Sequence, residues 1–192
     1  MIPTLQRCLL TGSLGFGAAS ILVFSTVAFA ERWMYATLGL AVSYLVWTLL
    51  FILSGAAVFN TLIVGPLRGP RFFLTFGLAF LAYAAGWTGA YFILRGAVGE
   101  WCGSLAGSVL MALVLAAGFR AWQSLLILCT LLFVSNSIGY FLGSALNTSV
   151  GGRTGMMLWG VIYGLFLGAG IGAALHHVQK VRVPDADCNE SG

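Results

Sequence analysis

Long apolar stretches separated by short polar breaks dominate the chain. Six runs stand out, at residues 8–30, 33–59, 72–94, 101–119, 122–146 and 155–175. A helix needs about 20 apolar residues to cross the hydrocarbon core of a bilayer, and each run reaches or nearly reaches that length. No Asp, Glu, Lys or Arg stands in the middle of a run. Trp33, Trp101 and Trp122 stand at run ends, where interfacial aromatic residues anchor helices at the headgroups. The fourth run is the shortest and is rich in Gly, Ala and Ser, which makes it the weakest of the six. The pattern predicts an all-α, polytopic integral membrane protein with six transmembrane helices over residues 1–178. A short polar tail, 179–192, follows, with a composition that favours disorder.

The last run carries the most regular feature. Gly160, Gly164, Gly168 and Gly172 recur every four residues and fall in one slowly turning groove of a helix. In water each interior glycine would weaken the helix by up to about 1 kcal/mol. In lipid the backbone must bond to itself, so the helix persists and the groove admits a second helix at close range. This glycine-zipper pattern predicts that the sixth helix is central. Its expected partner is helix three through Ala82, Gly86 and Ala90, or helix five through Ser135, Gly139 and Gly143.

The first run has a rival reading. Arg7 precedes an apolar stretch and Ala28-Phe29-Ala30 resembles a signal-peptidase site. The stretch is longer than the usual signal-peptide core and Gly-rich like the later runs, which favours a retained helix. With six spans and the N-terminus inside, the inner segments hold Arg7, Arg68, Arg71, Arg120, Lys180 and Arg182, and the outer ones hold Arg32, Arg95 and Arg153. This bias places both termini in the cytoplasm.

The two halves, 8–95 and 101–178, share a layout. Glu31-Arg32-Trp33 and Arg120-Ala121-Trp122 read as tight turns, and longer loops are expected after the second and fifth helices. One ungapped offset pairs Leu49-Leu50-Phe51 with Leu131-Leu132-Phe133, Phe59 with Phe141, Arg71 with Arg153 and Gly86 with Gly168. With three helices per half, such a repeat would be inverted in the membrane, an arrangement common among transporters. Packing needs alone also make Gly-rich helices resemble one another.

Composition narrows the chemistry. Of 192 residues 60% are hydrophobic and 7% charged, against about 25% charged in soluble domains. The net charge of +4 comes from scattered arginines, not a basic patch, so nucleic acid is not an expected partner. The four cysteines form no CxxC pair, and neither a metal nor another cofactor is expected. His176 and His177, adjacent at the end of the last run, point about 100° apart on a helix and read as interfacial. Proton pumping through buried carboxylates lacks its residues, and no nucleophile, base and metal set points to an enzyme.

Asn136, with Ser135 and Ser137, is the most polar mid-run cluster. It would line a solute path or make an interhelical hydrogen bond. Arg68 and Arg71 in the Gly- and Pro-rich stretch 65–71, with Arg153 at the opposite face, would contact an anion or a lipid headgroup, or simply anchor the helices. Tyr140, Tyr163, Trp87 and Trp159 would flank a cavity or fill space opposite glycines. Asn147-Thr148-Ser149 matches a glycosylation sequon in an expected outer loop, and reads as chance. Two functions follow as expectations. One is a small transporter or channel component without buried carboxylates. The other is a structural subunit that docks a membrane-protein partner, or a second copy of itself, through its glycine faces. N-terminal sequencing of the mature protein should find the first helix present; a start at Glu31 would remove it and leave five spans.

Overall fold

A computed structural model describes the backbone of residues 1–187 and the side chains of residues 1–181. Its long elements are all helices: α1 (Leu5–Asn60), α2 (Pro70–Leu94), α3 (Gly96–Phe119), α4 (Leu125–Val150) and α5 (Gly152–Asp187). All five are long and apolar enough to cross a membrane. Large apolar side chains face outward along them: Leu126 and Ile93 are each 81% exposed, a placement that lipid favours and water does not. The helix α5 is continuous to Asp187, and residues 188–192 of the polar tail lie outside the described residues.

The first helix is not one rod. A straight helix of 56 residues would run about 84 Å, nearly three times the hydrocarbon thickness. Gly39 breaks it with φ 77° and ψ 167°, a conformation that a side chain would strain. The arms 5–38 and 40–60, here α1a and α1b, fold back on each other. Phe16 lies 5.6 Å from Phe59 and 5.8 Å from Phe51, ring centre to ring centre. The expected turn at Glu31-Arg32-Trp33 is therefore corrected: the helix runs through those three residues, because none of them breaks it, and turns at the first glycine beyond.

The same turn recurs. Arg95 (φ 52°, ψ 167°) separates α2 from α3, and Gly151 (φ 70°, ψ 174°) separates α4 from α5. The Arg95 N–H donates to the Tyr91 carbonyl at 2.8 Å, and the Gly99 N–H donates back to the Arg95 carbonyl at 3.0 Å. In the same way the Gly151 N–H donates to the Asn147 carbonyl at 2.8 Å, and the Gly155 N–H to the Gly151 carbonyl at 2.9 Å. Buried Gly99, Gly155 and Ser43 each follow their turn by four residues, where the chain must pass close to its outgoing arm. The turns at 39, 95 and 151 stand 56 residues apart, so the chain is a series of three helical hairpins.

Two expectations about loops change accordingly. No long loop follows the fifth run, since α4 continues to Val150 and turns within two residues; Asn147-Thr148-Ser149 lies in its last helical turn. The loop after α1b is real. Asn60 ends the helix, and its Oδ1 accepts from the Gly69 N–H at 2.7 Å. Buried Gln179 of α5 holds the same loop, accepting from the Val64 N–H at 2.9 Å and donating to the Leu62 carbonyl at 3.2 Å. The turn expected at Arg120-Ala121-Trp122 is present, with Arg120 at φ 53°.

The glycine groove of α5 is filled, but by α1a rather than by the third or fifth run. A Cβ at Gly168 would collide with the Gly12 carbonyl oxygen, and one at Gly172 with that of Cys8. At Gly164 it would lie 2.9 Å from Gly17 Cα, and at Gly160 2.6 Å from Phe24 Cβ. The Ser20 hydroxyl closes the contact by donating to the Gly160 carbonyl at 2.7 Å. Of the other small-residue stripes, the one at Ser135, Gly139 and Gly143 does meet the last helix, but on a face other than the groove. Gly86 packs on Ala106 of α3, while Gly139 and Gly143 accept Tyr163 and Trp159 of α5. Gly168→Leu should sharply lower the yield of monodisperse protein, since overpacking a filled site costs about 1–3 kcal/mol or more. Gly89→Leu should not, because a Cβ there meets nothing within 4 Å. Size-exclusion profiles of the two variants side by side check both.

Candidate functional site: an aromatic cavity above a polar cluster

Polar side chains in the interior of a membrane bundle must find partners among themselves. Asn136 of α4 is fully buried and does so on two helices. Its Oδ1 accepts from the Tyr83 hydroxyl of α2 at 2.7 Å. Its Nδ2 donates to Ser104 Oγ of α3 at 2.8 Å. Ser104 in turn shares a hydrogen bond of 2.7 Å with Ser137. The Tyr163 hydroxyl of α5 lies 3.0 Å from that of Tyr83, whose proton is already engaged, so Tyr163 donates. Four helices are thereby tied at one point. Ser135 stays out of the cluster and bonds back to the carbonyl of Leu131, one turn earlier on its own helix.

Beside this cluster lies a cavity of about 320 Å³. Its wall is a nearly closed collar of rings. Trp87 lies 5.5 Å from Tyr140, Tyr140 5.6 Å from Trp159, and Trp159 6.0 Å from Phe24. The collar continues from Phe24 to Phe51 at 6.4 Å, to Phe80 at 5.6 Å and to Tyr83 at 5.9 Å. One helical turn then returns from Tyr83 to Trp87. Tyr163, Ala84, Thr88 and Tyr44 complete the lining. Tyr44 is 57% exposed and Thr88 is also exposed, so the cavity reaches the surface between α1b and α2. Those two helices meet lower down, where Gly55 receives Phe76 and Gly77 receives Ile52.

The four aromatic residues singled out from the sequence all stand on this wall. Asn136 does not; its amide is spent on Tyr83 and Ser104 behind it. Tyr83, Ser104 and Glu100 carry no sequence signal of their own. Tyr83 reads as another aromatic in an apolar run, and Glu100 as a polar residue just outside one. In the fold Glu100 is half-buried in the first turns of α3 and accepts from the Tyr140 hydroxyl at 3.3 Å.

The arginines lie elsewhere. Arg68 is exposed on the loop held by Gln179, and Arg71 is exposed in the first turn of α2. Arg153, at the start of α5, sits with its guanidinium 5.2 Å from the centre of the Phe29 ring. It shares a separate cleft with Glu31 and Arg32 at the turn end of the bundle. The structure does not bring Arg68 or Arg71 together with Arg153. His176 Nδ1 lies 3.0 Å from the Pro3 carbonyl and so helps hold the chain's first residues to α5.

Family models, curated proteins and solved structures give no match to this chain. Asn136→Ala should destabilise the fold by about 0.6–1.7 kcal/mol, from the average to the largest value measured for hydrogen bonds between membrane helices. An unfolding titration in mixed micelles reads this directly, and an unchanged midpoint would show that the cluster does not hold the helices together.

Proposed function

We propose that this protein is a small membrane transporter or channel component whose solute site is the aromatic cavity. The observation that carries the reading is the collar itself, built from three helical hairpins around an unfilled space. The space opens between α1b and α2, past exposed Tyr44 and Thr88, so a solute can reach it without unpacking the bundle. A concave, mostly apolar site with a few hydroxyls at one end has the character of a small-molecule pocket, and pockets between bundle helices are common.

In this reading the helical arms α1a, α1b, α2, α3, α4 and α5 each cross the bilayer, giving six spans. The turns at 39, 95 and 151 then share one face. The N-terminus, the two longer connections and the end of α5 share the other, which carries Arg7, Arg68, Arg71, Arg120 and Lys180 and is cytoplasmic by the positive-inside rule. Units of two helices keep the same orientation in the membrane. The 56-residue spacing of the turns thus supports a parallel series of three hairpins in place of an inverted three-plus-three repeat.

The docking-subunit reading loses its main support. The stripes at Gly160–Gly172, Gly139–Gly143 and Gly86 are occupied by helices of the same chain and offer no free groove to a partner.

Two measurements test the proposal. Native mass spectrometry of gently purified protein should show a bound small molecule, and proteoliposomes should move that molecule faster than empty vesicles. Trp159→Leu should reduce the flux at least tenfold while leaving the protein monodisperse. Flux equal to that of empty vesicles, with a stoichiometric protein partner retained instead, would replace this reading with the subunit one.

A further inference from the structure

The composition of the cavity wall goes further than its shape. Of its eleven lining residues nine are aromatic, in a chain that is 14% aromatic overall, and none is Leu, Ile or Val. Those aliphatic residues are abundant in every helix and would bury a neutral apolar solute equally well, since burial scales with area and not with ring character. What rings add is a negative π face, which attracts a cation. Among the described residues lining the cavity there is no Lys or Arg to repel one.

One carboxylate stands just behind the wall. Glu100 accepts the hydrogen bond of the Tyr140 hydroxyl at 3.3 Å, and Tyr140 lies between Trp87 and Trp159 in the collar. A phenol that donates to a carboxylate carries more electron density on its ring, because linked hydrogen bonds polarise one another. The same carboxylate adds a direct attraction that weak screening inside the bundle preserves. Glu100 is not itself part of the lining, so a solute meets the rings first and the charge second.

Resting on the solute-site reading above, we infer that the cavity takes a small organic cation of the quaternary-ammonium class, held by Trp87, Tyr140 and Trp159, with Glu100 as counter-charge. Such a cation is weakly hydrated and needs no hydrogen-bond acceptor, which suits a wall whose inner hydroxyls, on Tyr83, Tyr140 and Tyr163, are already engaged with Asn136, Glu100 and one another. Inorganic cations are excluded by the same wall, since it cannot replace their hydration shell.

The test uses full-length protein in nanodiscs, with tetramethylammonium, choline and tetraethylammonium as probes. Each is compared with its neutral carbon isostere; for choline this is 3,3-dimethylbutan-1-ol. Tryptophan fluorescence and calorimetry report binding. The cations should bind at least tenfold more tightly than their isosteres. Glu100→Gln should weaken the cations several-fold and leave the isosteres unchanged, a difference that a purely structural role would not produce. Trp159→Leu should abolish the preference even where residual binding survives. Isosteres that bind as well as the cations, or cations that fail to bind while a neutral molecule is retained on purification, would overturn the inference and leave the solute site standing. Failure of every probe, with no retained molecule and no flux, would remove both.

Discussion

The approach of α1a to α5 is the contact on which the rest of the bundle depends. Lipid supplies no hydrophobic force between helices, so association rests on packing and on polar contacts. Glycines at 160, 164, 168 and 172 let the backbone of α1a lie almost directly on that of α5, with Gly12 and Gly17 matching from the other side. Because α1a opens the chain and α5 closes it, this one contact joins the first hairpin to the last and turns a series into a closed bundle. Gln179 and His176 extend the same seam past the glycines, to the loop at 62–64 and to Pro3. The first thirty residues are thus the partner of the groove. Without them its four glycines would face lipid.

The hairpin turn is the second organising device. Each turn has a residue at positive φ, followed at 96 and 152 by a glycine also at positive φ, and a small residue four positions on, where the chain passes its own outgoing arm. Glycine meets both needs at 151 and 155. Arg95 meets the first as a non-glycine residue, in a conformation that costs an L-residue of order 1–3 kcal/mol. Turns this short leave almost nothing beyond the helix ends at that end of the bundle. The opposite face holds the longer connections and most of the positive charge.

Packing of this kind leaves the cavity as a consequence. Small residues draw α5 to α1a and α3 to α2, while the large rings at Phe24, Phe51, Phe80, Trp87, Tyr140 and Trp159 hold the hairpins apart in the same half of the bundle. The polar cluster of Tyr83, Asn136, Ser104 and Tyr163 fixes one end of that space. Rings that are wedged against each other and bonded at one end form a wall that keeps its shape.

Much of this was legible in the residues. Apolar runs free of charge defined helices long enough to span a bilayer, because the cost of burying charge in lipid is set residue by residue. The four-residue glycine period announced close packing, because backbone approach needs a missing side chain wherever it happens. The loop around Asn60 and the turn at Arg120 followed from local helix-breaking chemistry. The partner of the groove, the turn at Gly39, the seat of Asn136 and the link from Glu100 to Tyr140 were decided only by the tertiary structure. All four join residues distant along the chain or choose among several competent glycines, and an apolar run looks the same whichever neighbour it faces. Local periodicity determines what a helix can offer; which offers meet is a property of the closed bundle.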